Sequence, residues 1–213
     1  MDKLKARYIV VEGPIGAGKT SLARLLAERR GADLLLEDPE SNPFLARFYQ
    51  EPRRWALAAQ LFFLFQRVNQ LSGLKQLDLF DGTTVADFLF DKDPMFARLN
   101  LTDDEFTLYQ RIYEHLAPQA AVPDLVIYLQ APVETLMARV RRRGAAYERG
   151  LNEDYLSRLT QAYGRFFHDY SASPLLIVNS KNLNFVDRPG DFDLLLRRIT
   201  EMRGPREFFN LGT

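Results

Sequence analysis

The chain of 213 residues contains no cysteine and only two histidines, His115 and His168. Without cysteine it can form neither a disulfide framework nor a thiolate metal site, and two isolated histidines do not favour a histidine metal site. The net charge is also zero, because 28 lysines and arginines balance 28 aspartates and glutamates. This balance argues against broad binding to nucleic acid or to an anionic membrane surface.

Long apolar segments are lacking as well. The apolar run at residues 8–11 is shorter than a signal peptide requires. The most apolar segment, residues 55–64, contains Gln60 and is too short and too polar to cross a bilayer. We therefore expect a cytoplasmic enzyme without membrane or nucleic-acid partners. The length fits a single α/β domain over residues 1–213.

Short apolar and β-branched runs alternate with helical patterns along the chain. This alternation predicts a parallel sheet that is covered by helices on both faces, and thus a three-layer α/β fold. The segment after Gly204 has the character of a short extension. Five runs predict the strands of the sheet, at residues 8–11, 34–36, 83–85, 125–129 and 175–178.

Several helix boundaries are also indicated. A helix is predicted from Thr20 to Arg30, with Gly31 as its end. Residues 43–77 favour two helices broken near Pro52, and residues 102–121 favour one helix that begins with a capping box. The arginine-rich segment 139–150 carries two glycines and predicts a helical lid.

One glycine-rich segment follows the first predicted strand and precedes a predicted helix. Its glycines let backbone N–H groups turn inward around phosphates, and the helix N-terminus adds partial positive charge. Lys19 can reach the β- and γ-phosphates of ATP, and the Thr20 hydroxyl can bind Mg²⁺. The segment predicts ATP binding in a P-loop NTPase-type fold. It matches G-x-x-x-x-G-K-[ST] completely as Gly13-Pro14-Ile15-Gly16-Ala17-Gly18-Lys19-Thr20.

Two acids follow predicted strands, where open parallel sheets bind their ligands. Glu37 can take a proton from an attacking hydroxyl. Alternatively, it is a solvated loop acid, since Asp38 and Glu40 lie beside it. Asp87 can hold Mg²⁺ together with Thr20, or it can cap the next helix. The P-loop favours the metal-binding interpretation of Asp87.

A spaced series of residues continues beyond the P-loop and covers nearly the whole chain. It comprises Glu37, Asn42-Pro43-Phe44-Leu45, Phe48-Tyr49, Gln60, Arg67, and segments 87–97 and 139–156. The series resembles the deoxynucleoside kinases, especially the bacterial deoxyadenosine/deoxyguanosine kinase branch. The resemblance implies phosphorylation of the 5′-hydroxyl of a deoxynucleoside by ATP with Mg²⁺, for nucleotide salvage. It favours purines, with deoxyadenosine first, and it implies a homodimer.

The resemblance also implies roles for individual residues. Glu37 would be the general base, and Tyr49 and Glu148 would bind the 3′-hydroxyl. The residues that would read the nucleobase are Gln60, Arg67 and Asp93, and those that would neutralise charge on the transferred phosphoryl group are Arg139 and Arg143. The spacing is compatible with these roles, because Gln60 and Arg67 share one helical face, as do Arg139 and Arg143. Each residue also has an alternative interpretation as a core or solvated side chain.

The chain departs from the family pattern after the third strand. The family usually has an acid, an arginine and a serine there, whereas this chain has Asp87-Phe88-Leu89. Phe88 cannot supply the arginine, so Lys92 or a lid arginine, Arg149 among them, is the candidate substitute. Ala145 stands where many relatives have a further lid arginine.

Two alternative functions remain open from the sequence. A thymidylate-type nucleoside monophosphate kinase has the same fold, but it must clamp the phosphate of its acceptor. The nearby candidates for that clamp are Arg47, Arg53 and Arg54. A catalytically silent nucleotide-binding scaffold is the third possibility, which Phe88 supports and the intact Lys19 opposes.

Overall fold

A computed structural model describes residues 6–77, 82–116, 121–185 and 187–211. Within these residues, six parallel strands form one sheet in the order β2-β3-β1-β4-β5-β6. The strands are β1 (Tyr8–Glu12), β2 (Asp33–Leu35), β3 (Thr84–Ala86), β4 (Leu125–Gln130), β5 (Leu175–Asn179) and β6 (Arg206–Asn210). The helices are α1 (Lys19–Arg30), α2 (Leu45–Gln50), α3 (Pro52–Leu77), α4 (Asp93–Asn100), α5 (Asp103–Leu116), α6 (Val133–Arg143), α7 (Glu153–Asp169) and α8 (Pro189–Glu201).

The central strands are buried along nearly their whole length. Four consecutive residues of β1, five of β4 and four of β5 are buried. A strand buried at both odd and even positions must be covered on both faces of its sheet. The predicted three-layer α/β fold and its five predicted strands are therefore confirmed, with shifts of at most one residue at strand ends.

The sheet has one strand more than the sequence predicted. The segment after Gly204 was expected to be a short extension, and this was wrong, because β6 pairs in parallel with β5 from Leu175↔Arg206 to Asn179↔Asn210. As an edge strand, β6 is only partly covered, and Phe208 is 67% exposed. It therefore lacks the continuous apolar run by which buried strands are recognised.

The predicted helix ends agree with the structure. Gly31 ends α1 with a φ of 60°, and the Ala32 N–H donates to the Ala27 carbonyl over 2.9 Å. Glu51 separates α2 from α3, beside the predicted break at Pro52. The capping box is formed, since the Thr102 N–H donates to the Glu105 carboxylate over 2.9 Å. The helix it starts was expected to reach residue 121, and this end was wrong, because α5 extends to Leu116 and Ala121 is not helical, while residues 117–120 lie outside the described residues.

The parallel topology brings three loop starts to one edge of the sheet. The P-loop follows β1, Glu37 follows β2, and Asp87 follows β3 directly. These three strands are adjacent in the order β2-β3-β1, so the residues after them meet at the carboxyl edge. No helix within the described ranges is long and apolar enough to span a membrane.

Candidate active site

The P-loop wraps tightly around the end of β1. Gly16 has a φ of 84°, and a Cβ atom there would lie 2.6 Å from the Leu136 carbonyl oxygen. The turn is closed by the Ala17 N–H, which donates to the Pro14 carbonyl over 3.0 Å. A side chain at position 16 would therefore meet both backbone strain and a clash. The glycine lets the loop present its backbone N–H groups at the start of α1, where anions bind.

The side chain of Lys19 folds back onto the P-loop. Its ammonium donates to the Gly13 carbonyl over 2.8 Å and to the Pro14 carbonyl over 3.3 Å. Burial lowers the pKa of Lys19, and the nearby carboxylate of Glu12 opposes that shift. A phosphate group in the loop can replace these carbonyls as the partner of the ammonium.

Thr20 and Asp87 form the candidate magnesium site. The Thr20 hydroxyl donates to the Asp87 carboxylate over 2.5 Å, and the other carboxylate oxygen accepts from the Glu37 N–H over 2.7 Å. Burial raises the pKa of Asp87. Among the described residues no group of three or more histidine, cysteine, aspartate or glutamate side chains is arranged so that it could hold a metal ion. Two oxygen ligands suit Mg²⁺, which takes its other ligands from phosphate and water.

Glu37 lies in the main cleft, which we define as the cleft between the P-loop, α3, α4 and the segment at 147–148. Its carboxylate accepts from Nε of Arg67 over 2.8 Å, and the Lys92 ammonium lies 3.8 Å away. Burial raises the pKa of Glu37, but Arg67 and two nearby lysines outweigh burial and lower the pKa to about 2. The carboxyl group is therefore ionised at neutral pH and can accept a proton.

The far end of the main cleft is the part lined by Gln60 and Arg67, and both side chains bond to Asp93, which is fully buried at the start of α4. Its carboxylate accepts from the Gln60 amide, from the Arg67 guanidinium at 2.5 Å and from the Tyr109 hydroxyl at 2.9 Å. Gln60 and Arg67 do share one face of α3, as their spacing predicts. Tyr109 was not found from the sequence, because it comes from α5, which has no motif around this residue.

The lid side of the cleft brings together Tyr49, Glu148 and Arg143. Glu148 is buried and pairs with Arg143, whose Nε donates to it over 3.1 Å. Tyr49 reaches the same wall from α2, and a Cβ atom at Gly150 would lie 2.9 Å from the Tyr49 carbonyl oxygen. Glycine at position 150 therefore permits the close approach between the lid segment and α2.

Arg139 does not reach Glu37. Its guanidinium donates to the Ala17 carbonyl over 3.3 Å and to the Ser180 carbonyl over 2.6 Å, so it lies against the outer side of the P-loop. Burial lowers the pKa of Arg139. There it lines a second cleft, which contains further cations at Arg142, Arg143, Lys181 and Arg188. Of the two predicted lid arginines, only Arg143 faces both clefts.

Two buried charged residues, Lys92 and Glu12, also belong to the site, and only Lys92 was considered from the sequence. Lys92, considered as a substitute cation, is 1% exposed and lines the main cleft, whereas Arg149 is exposed and is not among the described lining residues. Glu12, which was missed, is fully buried and lies 3.0 Å from Lys92. Phe88 is buried in an apolar cluster. Glu12 ends an apolar strand, and no spacing rule connects it with residue 92.

These features define a class of protein. A P-loop and a Thr–Asp pair lie at the carboxyl edge of a parallel sheet, and an ionised glutamate faces them from the wall of the same cleft. This arrangement is that of a P-loop phosphotransferase.

Comparisons with known proteins specify the family. A sequence model described as deoxynucleoside kinase matches residues 9–202. The chain is 32% identical over 202 residues to a deoxyguanosine kinase of Bacillus subtilis (strain 168), covering 92% of this chain and 98% of the relative. It is 30% identical over 219 residues to a deoxyadenosine kinase of Lactobacillus acidophilus (strain ATCC 700396 / NCK56 / N2 / NCFM), covering 96% and 99%.

A solved structure agrees at the level of the fold. The deoxyadenosine kinase from M. mycoides with bound dATP superposes with a TM-score of 0.78 at 23% identity, covering 91% of this chain and all of the other. Together with the match over residues 9–202, these findings show that the chain belongs to the deoxynucleoside kinase family.

Proposed function

We propose that the protein transfers the γ-phosphoryl group of ATP to the 5′-hydroxyl of a purine deoxynucleoside. The observation that carries this proposal is the position of Glu37. Its ionised carboxylate lines one cleft together with the P-loop residues and with Gln60 and Arg67, both of which bond to the buried Asp93. A nucleoside bound by its base at the far end directs its 5′ end towards the P-loop.

The P-loop holds the triphosphate of ATP in this proposal. Backbone N–H groups and Lys19 bind the phosphate oxygens, and the second cleft with Arg139 and Arg142 receives the rest of the donor. Thr20 and Asp87 hold Mg²⁺, which when bound supplies positive charge to the phosphate oxygens. Arg143 faces both clefts and supplies charge on the lid side.

Glu37 acts on the acceptor. Its carboxylate takes the proton of the 5′-hydroxyl while the 5′-oxygen forms a bond to the γ-phosphorus and the bond to the β–γ bridging oxygen breaks. The proton ends on Glu37, and ADP carries away the electron pair of the broken bond. Tyr49 and Glu148 bind the 3′-hydroxyl and hold the sugar on the lid side of the main cleft.

The hydrogen bonds of Gln60 argue against thymidine as the acceptor. The carboxylate of Asp93 can only accept, so the donating amide nitrogen of Gln60 must face it. The carbonyl oxygen of Gln60 is then left to accept from an exocyclic amino group, which adenine, guanine and cytosine carry and thymine lacks. The similar relatives are named as deoxyguanosine and deoxyadenosine kinases, which supports a purine substrate.

Coupled ADP release with ATP and Mg²⁺ tests the proposal on four deoxynucleosides and their monophosphates. We expect turnover on the nucleosides, fastest on deoxyadenosine. Turnover only on monophosphates would instead support a thymidylate-type kinase. Against that outcome, Arg47 and Arg54 lie over the Trp55 ring, and Arg53 lines a separate groove. Bound ATP without turnover on any acceptor would indicate a silent scaffold.

We also propose that the protein is a cytoplasmic homodimer. The helices α3 and α5 pack together, and each exposes a large apolar side chain, with Phe65 48% and Leu108 50% exposed. Burying these side chains against a second copy would remove apolar surface from water. Analytical ultracentrifugation of the wild type and of a Phe65→Glu, Leu108→Glu variant tests this, and a monomeric wild type contradicts it.

A further inference from the structure

Lys92 is a buried lysine in the wall of the main cleft. It is 1% exposed, and its ammonium lies 5.5 Å from the centre of the Phe96 ring. Placing an ammonium in such an environment costs free energy unless it is paired. The pairing is provided by Glu12, at 3.0 Å, and the next carboxylate is that of Glu37, at 3.8 Å. Lys92 is therefore a fixed charge between the sheet edge and the candidate base.

Glu12 is itself held from three further directions. Its carboxylate accepts from the N–H of Gly13 over 2.8 Å, from the N–H of Leu89 over 2.8 Å and from the Tyr163 hydroxyl over 2.9 Å. Gly13 is the first residue of the P-loop. The Glu12–Lys92 pair is consequently attached to the same backbone that binds the phosphates.

Arg67, the second cation in contact with Glu37, donates hydrogen bonds to two different carboxylates. Two of its nitrogens donate to Glu37, and the third donates to Asp93 at the far end of the cleft. A nucleobase that accepts hydrogen bonds from Arg67 competes with Glu37 for the N–H groups of that arginine. Among the described ion pairs, the Lys92 ammonium pairs with the carboxylates of Glu12 and Glu37, which lie on the P-loop side.

We propose that Lys92, anchored by Glu12, is a positioning residue that fixes the Glu37 carboxylate relative to the P-loop. At 3.8 Å the contact is longer than a hydrogen bond, but the attraction between two charges persists at this distance in a partly dry cleft. With Lys92 in place, the Glu37 carboxylate keeps its position when a nucleobase accepts hydrogen bonds from Arg67. This inference rests on the proposed function, because it assigns Glu37 as the base.

The simpler role for Lys92 is to balance the buried charge of Glu12. Both roles predict that Lys92→Met destabilises the fold, so stability alone cannot separate them. The double variant Glu12→Gln, Lys92→Met separates them, since it removes both charges of the pair and leaves no unpaired ion. The matched control is Arg98→Met on α4, the helix that begins directly after Lys92, where the side chain is 63% exposed and pairs with Asp103.

The experiment measures kcat and KM for the deoxynucleoside, together with thermal unfolding, for each variant. We expect Lys92→Met to lower kcat by about tenfold to a hundredfold, the cost of a misplaced catalytic group, with KM within about threefold of wild type. Lys92→Arg keeps the charge and should recover part of kcat. The double variant should regain stability over Lys92→Met while kcat stays low, and Arg98→Met should match wild type.

Three results would overturn the proposal. Wild-type kcat in Lys92→Met removes Lys92 from the reaction. A double variant that regains both stability and kcat shows that Lys92 only balances Glu12, and this measurement remains decisive if Lys92→Met does not fold. A wild-type protein that phosphorylates no deoxynucleoside refutes the proposed function itself, and the role of Lys92 falls with it.

Discussion

The two clefts beside the P-loop are built in opposite ways. In the main cleft, Arg67 and Lys92 are at most 3% exposed, and each is ion-paired with a fully buried acid, Asp93 and Glu12 respectively. In the second cleft, Arg142 and Lys181 are exposed to solvent. Buried partners fix the charges of the main cleft when the chain folds. Solvent screens the charges of the second cleft until a bound ligand displaces that solvent. The acceptor side is thus preorganised, and the donor side is arranged by its ligand.

The largest effect is expected at Lys19, the P-loop lysine that lines the main cleft. Lys19→Ala should abolish measurable turnover, because the γ-phosphate loses its charged donor at the P-loop. Coupled ADP release measures this, and circular dichroism checks that the fold is kept. Wild-type rates in this variant would contradict the assignment of the P-loop as the donor site.

The next effect is expected at the candidate base. Glu37→Gln keeps the size of the side chain but cannot accept the proton, so kcat should fall by about a hundredfold or more. Calorimetric titration should still detect deoxynucleoside binding, since Gln60, Asp93 and the lid residues are unchanged. An unchanged kcat would remove Glu37 from the base role.

Asp93→Asn tests the buried character of the acceptor side. The change leaves Arg67 with one anionic partner fewer in the core, so unfolding in urea should show a loss of about 3 kcal/mol, the lower end for a broken buried pair. The KM for the deoxynucleoside should rise by at least about tenfold, as expected when a site loses a positioned hydrogen-bond acceptor. If stability stays unchanged, the acceptor side is less tightly preorganised than the structure indicates.

Arg142→Gln should give the smallest effect, on the donor side. Because the side chain is exposed, the free energy of unfolding should change by less than about 0.5 kcal/mol. The KM for ATP should rise a few-fold, and the rise should shrink as salt is added. A salt-independent change would contradict the screened state of the second cleft.

The sequence predicted those parts of the site that are local in the chain. The P-loop lies within eight consecutive residues, and Gln60 and Arg67 lie on one helix. The contact between the distant residues Thr20 and Asp87 was also predicted, because the ends of parallel strands meet at one edge of the sheet. Other contacts between distant segments were not predictable from the sequence. The Glu12–Lys92 and Tyr109–Asp93 contacts each join two elements whose approach depends on the packing of the whole domain.

Arg139 shows why a shared helical face is an incomplete guide. Arg139 and Arg143 are four residues apart, which on α6 corresponds to a rise of about 6 Å. The P-loop abuts α6 along this length, since the Leu136 carbonyl lies against Gly16. One arginine therefore reaches the outer side of the loop and the other reaches the main cleft. Strand β6 was missed for a comparable reason, because an edge strand needs only partial burial.

The contact between Gly150 and Tyr49 has a consequence for how the enzyme could change its substrates. The backbone of the lid segment lies directly on α2, with no room for even a methyl group between them. The distance between Tyr49 and Glu148 is therefore set by main-chain contact, which side-chain substitutions at the cleft surface leave in place. Under the proposed roles of Tyr49 and Glu148, a change in the width of the sugar site would require movement of the backbone, whereas the proposed nucleobase site can change by exchange of side chains on α3 and α4.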